Sequence, residues 1–310
     1  MKTKLLILAA VLLIMAEWFS ACKEKEPWIW DPEPPFHTID IESAWSPDGQ
    51  WIAYSHRNGF GGDDIYLIRP DGTENTLWQA GGVRSTWSPC GEWMAFSRYA
   101  QIWKKKLNGD SLTQLTNDAG RHFFTAWSPD GNALAYNQTV GSTNGIWKLD
   151  LSTGVHTHII KWGMYFDFNP VTGQLLYTTA WYGGEINMMG DSVFTYNLSS
   201  ATKEFIVLLK WPTTSSRDLK CNNTGTKILF SSQSLQSDKH WAPGIWVMNV
   251  DGSNIRKLID NGEYPSWSPD GTKIAYTDDR KENGRLWIMN ADGSGRRQLT
   301  FDSLFTNKNP

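Results

Sequence analysis

The sequence predicts an all-β chain, a six-bladed β-propeller of four-stranded antiparallel blades. Three observations lead there. The pentapeptide W-S-P-D-G starts at Trp45, Trp127 and Trp267, with W-S-P-C-G at Trp87 and diverged copies at Phe168 (F-N-P-V-T-G) and Cys221 (C-N-N-T-G). These starts are 42, 40, 41, 53 and 46 residues apart. Each is followed by an aliphatic–aromatic pair: Ile65-Tyr66, Ile102-Trp103, Ile146-Trp147, Val193-Phe194, Ile245-Trp246 and Leu286-Trp287. Six residues beyond the first member of every pair lies a turn: Asp71-Gly72, Asn108-Gly109, Ser152-Thr153, Ser199-Ser200, Asp251-Gly252 and Asp292-Gly293. Self-similarity at this period marks a repeat architecture, and four short strands per unit make the blade of a propeller.

Within a unit the elements follow in order. Strand a ends on the repeated Trp, as in Y-P-S-W (Tyr264–Trp267). The S-P-D-G turn comes next, where Pro presets φ and Gly supplies a positive φ without a Cβ clash. Strand b alternates apolar residues, as in W-I-A-Y-S (Trp51–Ser55), and strand c carries the aliphatic–aromatic pair. Period-2 alternation puts one set of side chains on each face of a strand. The second turn then leads to a short strand d such as R-R-Q-L-T (Arg296–Thr300). Such a sheet is apolar on both faces and must stack on neighbours to bury them, each large apolar side chain contributing roughly 1.5–3 kcal/mol. The repeated Trp is therefore expected in the packing between blades, as scaffold.

The domain boundaries follow: 1–21 a signal peptide, 22–38 a tether, 39–301 the propeller and 302–310 a tail. The opening M-K-T-K is basic, and Leu5–Ala16 is an apolar run of twelve residues, short of the about 20 a membrane-spanning helix needs and typical of a secretory signal. The following F-S-A-C (Phe19–Cys22) resembles the lipobox of bacterial lipoproteins, with Phe19 in place of the usual aliphatic residue. That resemblance implies acylation of Cys22 as the mature N-terminus; the alternative is an ordinary signal peptide with a chance cysteine. Lys23, rather than Asp, resembles an outer-membrane sorting address, and C-K-E-K-E-P a surface tether. Cys90 and Cys221 fall in blades 2 and 5, too far apart for a disulfide, and are expected as small buried side chains. Pro27–Asp31 is a candidate for shielding the last blade's edge.

The combination W-S-P-D-G, I-A-Y, I-Y-L-I-R-P-D-G resembles the WD40-like repeats of TolB-type propellers, over about residues 40–300. TolB is a periplasmic protein with an α/β domain ahead of its propeller, whereas about 20 residues separate Cys22 from the first repeat here. The resemblance implies a TolB-like propeller lipoprotein of the bacterial envelope, on the periplasmic or the cell-surface side of the outer membrane.

In a propeller the d–a and b–c loops share one face around the channel mouth. Long b–c segments occur at His56–Asp64, Ala180–Asp191 and Gln233–Gly244, and carry Trp181, Tyr182, His240 and Trp241. They read as a contact surface with aromatic anchors, or as loops that cover one another. Three residues before the aligned Trp positions stand Glu42, Arg84, Phe124, Tyr165, Asp218 and Tyr264, with His122 and Arg217 nearby. Pointing inward, they would line the channel, as a binding site or as a water-filled hole with balanced charges. The candidate face is thus Arg84, His122, Tyr165, Trp181, Tyr182, Arg217, His240, Trp241 and Tyr264.

Catalytic signatures are few. There is no G-x-S-x-G, no H-E-x-x-H and no Cys pair at zinc spacing. His156 and His158 lie on strand d of blade 3, as an exposed edge or as a like-facing metal pair, and the Asp-Gly turns lack the oxygen cluster calcium requires. No cofactor, metal or catalytic residue is expected. A net charge of −3 gives nucleic acid no basic surface. The expected function is a monomeric, non-enzymatic envelope module that engages a protein or glycan. The alternative is a carbohydrate-active enzyme, because oligogalacturonate lyases resemble this repeat pattern and use a metal with channel-mouth histidines, for which only His122 and His240 qualify.

Overall fold

The computed structural model describes residues 38–58, 62–139, 144–181, 190–209, 214–235, 241–278 and 284–301, with the backbone alone at 180–181, 190, 214–216, 233–235 and 241–242. The described residues form no helix and 24 strands in six separate sheets. Blade 1 holds β1 (Ile39–Trp45), β2 (Ile52–Arg57), β3 (Asp63–Ile68) and β4 (Thr76–Gln79). Blade 2 holds β5 (Val83–Trp87), β6 (Trp93–Arg98), β7 (Gln101–Lys106) and β8 (Thr113–Gln114). Blade 3 is β9 (Thr125–Trp127), β10 (Ala133–Gln138), β11 (Gly145–Asp150) and β12 (His156–Lys161). Blade 4 is β13 (Gly163–Phe168), β14 (Leu175–Trp181), β15 (Gly190–Asn197) and β16 (Thr202–Leu209). Blade 5 is β17 (Thr214–Cys221), β18 (Lys227–Leu235), β19 (Trp241–Asn249) and β20 (Arg256–Asp260). Blade 6 is β21 (Gly262–Trp267), β22 (Lys273–Asp278), β23 (Arg285–Asn290) and β24 (Arg297–Gln298). Every blade pairs its four strands antiparallel in chain order, so none borrows a strand from another.

The core is six apolar seams, one between each pair of neighbouring blades. Strand b shows how the sequence builds them. In I-A-Y of β2, Ile52 and Tyr54 pack toward blade 6 while Ala53 packs toward blade 2. Met94 and Phe96 face blade 1 and Ala95 faces blade 3, and the same alternation holds around the ring. A one-residue slip would exchange the two faces and put a large ring where a methyl fits. The repeated Trp side chains sit in these seams, half-buried or buried. Three of them also donate across: Trp87 Nε1 to Ala44 O at 3.0 Å, Trp127 Nε1 to Thr86 O at 3.2 Å and Trp267 Nε1 to Lys220 O at 3.2 Å.

The rest of the pentapeptide is turn chemistry. Ser46 Oγ donates to Asp48 Oδ1 at 2.5 Å and accepts from Trp51 N at 2.9 Å, and Asp48 Oδ1 accepts from Gln50 N at 3.0 Å. The same bonds recur at Ser128-Asp130 and Ser268-Asp270. Gly49, Gly131 and Gly271 close these turns at φ of 71°, 73° and 69°. Cys90 takes the Asp position in blade 2, where its Sγ lies 3.3 Å from Ser88 Oγ. It is exposed, and Cys221 is half-buried, so the expectation of two buried thiols fails. Position four of the turn projects outward, because its work is to bind solvent-side N–H groups.

The ring closes between blades 6 and 1. Asp40, fully buried in β1, accepts from His56 Nδ1 at 2.7 Å and from Thr300 Oγ1. Its backbone N–H donates to Gly284 O at 2.9 Å, and its carbonyl accepts from Thr277 Oγ1 at 2.8 Å. Arg285 Nη1 donates to Thr38 O at 2.6 Å. Residues 1–37, with the expected signal peptide, Cys22 and Pro27–Asp31, and residues 302–310 lie outside the described residues.

Candidate functional site

The innermost strands position the site. β1, β5, β13, β17 and β21 each break register with strand b: between Ile41 and Ala44, Val83 and Thr86, Gly163 and Phe166, Arg217 and Lys220 (β17 also between Thr214 and Arg217), and Glu263 and Ser266. Apart from that second break in β17, each bulge contains the residue three before the aligned Trp. At four of them the backbone is left-handed, with φ of 59° at Glu42, 60° at Arg84, 58° at Asp218 and 52° at Tyr264. A bulge re-aims a side chain at the cost of ladder pairing, and a non-glycine residue at positive φ is strained. Strand b holds the bulges with one small polar residue after its aromatic. Ser55 Oγ accepts from Arg84 N at 3.0 Å, Thr178 Oγ1 from Tyr165 N at 3.3 Å, and Ser231 Oγ donates to Asp218 Oδ2 at 2.8 Å. In blade 3, Asn137 Oδ1 accepts from both Phe123 N and Phe124 N, at 3.0 and 2.8 Å.

All six of these positions converge on one central cavity, about 540 Å³ including its opening to solvent. Glu42, Arg84, Phe124, Tyr165, Asp218 and Tyr264 form its ring, with Ser85 and Thr125 beside them. Arg84 Nε forms an ion pair with Glu42 Oε1 at 2.5 Å. The Arg84 guanidinium rests over the Phe124 ring at 4.0 Å, and Phe124 meets Tyr165 edge-to-face at 5.1 Å between centroids. Burial pushes the Glu42 carboxyl up to about 7, against the pull of Arg84, with Asp218 pushing the same way as burial. Burial also raises Asp218 and both tyrosines, Tyr165 and Tyr264. Toward the S-P-D-G turns the channel widens to about 1130 Å³, open to solvent and rimmed by Pro47, Pro89, Pro129, Pro170 and Pro269.

Of the residues expected on the working face, Arg84, Tyr165 and Tyr264 meet in this cavity. Arg217 stands one residue before Asp218 on β17, close enough to act on the charge of Tyr165 and Asp218. His122 is elsewhere: fully buried, its Nε2 lies 2.8 Å from Asp118 Oδ1 and its Nδ1 3.2 Å from Asn137 O. The polar groups beside it draw the ring inward, so it belongs to the core of blade 3. Trp181 and Trp241 stand on β14 and β19, not in loops, because both hairpins keep pairing past the body of the blade (Trp181 with Gly190, Trp241 with Leu235). Their side chains, and Tyr182 and His240 entirely, lie outside the described residues. His156 and His158 sit on the outer strand β12, exposed but engaged, His156 Nδ1 2.8 Å from Tyr136 Oη and His158 stacked on Trp147. No group of three His, Cys, Asp or Glu suited to a metal occurs among the described residues.

Two aromatics that the sequence reading passed over are displayed on this face. Tyr99, 78% exposed, forms with Ala100 the two-residue b–c turn of blade 2, at φ of 52° and 58°. Such turns ordinarily take Asn-Gly. Trp162, 56% exposed at φ 65°, forms the d–a turn into blade 4, with Met164 exposed beyond it. A bulky ring at a turn position that favours glycine was the available signal for both. For the bulges the signal was the aromatic–Ser/Thr/Asn pair closing strand b, from Tyr54-Ser55 to Tyr276-Thr277.

No protein-family model matches the chain, and no curated protein matches it either. Solved structures do. TolB from Acinetobacter baumannii superimposes with a TM-score of 0.66 at 17% identity, over 87% of this chain and 65% of that one. By fold, the chain is a TolB-like propeller. It spans just under two thirds of the A. baumannii protein, but 91% of a protein assigned as TolB in Agrobacterium tumefaciens, at a TM-score of 0.60, 17% identity and 85% coverage of this chain. The TolB-like ring also resembles an oligogalacturonate lyase solved in complex with manganese, at a TM-score of 0.57 and 12% identity over 86% of this chain and 79% of that one.

Proposed function

We propose that this TolB-like propeller is a non-enzymatic binding module of the bacterial envelope, held at the membrane through an acylated Cys22. It engages a protein or glycan partner on the face that carries the b–c and d–a loops. One observation carries the reading: six inward-aimed side chains ring a central cavity, and the b–c and d–a turns display Tyr99 and Trp162. Exposed aromatics on a rigid scaffold are the usual anchors of an interface. The envelope location draws on the leader and lipobox of the sequence and on the likeness of the repeats to TolB.

The competing reading, a metal-dependent lyase, draws on the likeness to the oligogalacturonate lyases. His122 does not serve it, since both of its ring nitrogens are engaged in the core of blade 3. The binding reading is tested by affinity capture from envelope extracts with Tyr99→Ala and Trp162→Ala, each checked for an unchanged unfolding midpoint. A partner held by the wild type should be lost or weakened at least tenfold. Equal capture by both variants rejects this face. Cys22→Ala should move the protein to the soluble fraction, and continued membrane association would reject the anchor.

A further inference from the structure

Beside the exposed Tyr99, at the junction of blades 1 and 2, stands a cation without a counter-ion. Among the described residues, Arg98 of β6 makes no hydrogen bond and no ion pair, and its Nε is sealed from solvent without an acceptor. Its guanidinium lies over the rings of Tyr99 and Trp103, 5.0 and 5.7 Å from their centroids. Trp103 Nε1 is buried and unpartnered as well. Guanidinium and indole nitrogens donate and never accept, so the need at this place has one sign. A second cation, Lys105, is close by: Nζ donates to Trp78 O and Gln79 Oε1, both at 3.2 Å. Burial and the charge of Arg98 hold its ammonium below the usual lysine range, with no carboxylate pulling the other way. Asp64, the acid of the adjoining d–a turn, accepts from Gly81 N at 2.9 Å and pairs with neither cation. The Gln101 amide donates to the carbonyls of Asp118 and Gly120 instead. Other part-buried arginines are engaged, Arg84 by Glu42 and Arg285 by the carbonyls of Thr38 and Gly284.

We propose that Arg98 receives a carboxylate of a protein partner, an acidic side chain or chain end set down beside Tyr99. With Nε sealed, the Nη edge is the part of the guanidinium that meets solvent. Its coplanar N–H groups match the two oxygens of a carboxylate, and Lys105 adds positive charge behind it. The exposed phenol ring next to the charge suits an apolar side chain adjacent to the acid, which a peptide supplies. Arg and Tyr are also the residues on which interface energy concentrates. The inference rests on the loop face being the binding face and deepens that reading.

The backbone holds this site in shape before any partner arrives. Tyr99 and Ala100 occupy left-handed turn positions, and Ala100 O accepts from His122 N at 2.9 Å, which ties the turn to the segment leading into blade 3. Across from it Gly81 presents no side chain. A Cβ there would stand 3.6 Å from Arg98 Nε and 3.9 Å from Tyr99 Oη, so the glycine leaves room at the guanidinium. A fixed donor pair loses little freedom on binding, which favours affinity.

Proton–nitrogen NMR on the detergent-solubilised full-length protein tests this, because a sealed Nε–H exchanges slowly enough to be observed. The probes are an end-blocked peptide with glutamate beside phenylalanine, the same peptide with glutamine for glutamate, glucuronate, and inorganic phosphate. The glutamate peptide should shift the Arg98 Nε–H resonance saturably, and the glutamine peptide should bind at least tenfold more weakly. Affinity should fall about threefold between about 50 and about 300 mM NaCl, as screening weakens an exposed charge pair. Followed on the Trp103 indole N–H, Arg98→Gln should remove binding, and Arg98→Lys should weaken it about fivefold, since a lysine keeps the charge but not the planar fork. No shift with the glutamate peptide, or equal binding of the glutamine peptide, would overturn the assignment. Tighter binding of glucuronate or phosphate than of the glutamate peptide would overturn the protein source. The glutamate–glutamine comparison uses wild-type protein and does not depend on a variant folding. Partner capture that survives Arg98→Gln but fails with Tyr99→Ala would reject the carboxylate site and leave the binding face standing.

Discussion

At the scale of single residues, Glu42 is the most consequential side chain. Its position is forced by a bulge and its charge is opposed by burial, so its carboxyl sits at about 7. Raised above its value in an unfolded chain, it stabilises the fold while protonated, and that stabilisation is lost as pH rises through 7. Asp218 and Asp167, also raised by burial, act in the same direction. Urea midpoints should therefore fall between pH 5 and pH 7.5, with Glu42 contributing on the order of 2 kcal/mol. Glu42→Gln should show a slope shallower by that amount; an identical slope would place the group in open solvent. Nothing in composition reveals this. The repeat register put Glu42 at the channel, but the left-handed backbone that turns it inward came only with coordinates.

Individual strands show how a motif divides its labour. The Ser, Asp and Gly of the pentapeptide close a turn, and the Trp spans a seam. Trp87, Trp127 and Trp267 each donate to a carbonyl one residue before the aligned position of the preceding blade. Trp45 packs in its seam but its Nε1 finds no acceptor among the described residues. Trp87→Phe should therefore destabilise more than Trp45→Phe, by about 1 kcal/mol, the worth of a hydrogen bond beyond packing. Equal losses measured by denaturant titration would show that the indole bond adds nothing. Blades 4 and 5 replace the Trp with Phe168 and Cys221, and there the seam is tied by Asp167 Oδ2 accepting from Cys221 N at 2.9 Å. The long b–c hairpins behave differently from expectation at this scale: continued pairing, not loop, carries Trp181 and Trp241.

Over the whole ring, closure is the special problem. Five seams join blades consecutive in sequence, but the sixth must join residues some 240 apart, as Thr277 and Asp40 are. The fold meets it with a buried polar node rather than an exchanged strand. Asp40 ties His56 of its own blade to Thr300 of the last, while Arg285 reaches Thr38. Removing one partner from a buried ionic cluster typically costs about 3–5 kcal/mol. Asp40→Ala should lower stability by about 3 kcal/mol, whereas Asp48→Ala, on an exposed turn, should cost about 1 kcal/mol. Comparable losses from both would mean that closure rests on the apolar seam alone.

The sequence by itself determined the number of blades, the strand order and the alternation that sends Ile52 and Tyr54 one way and Ala53 the other. All of these are properties of local period and turn chemistry, repeated six times. It also named the six channel positions, because a repeat register carries one position into every blade. Tertiary structure alone decided that Glu42 pairs with Arg84, that His122 turns into the core, and how Asp40 closes the circle. Those outcomes depend on contacts between residues far apart in the chain, whose distances and burial no local pattern encodes.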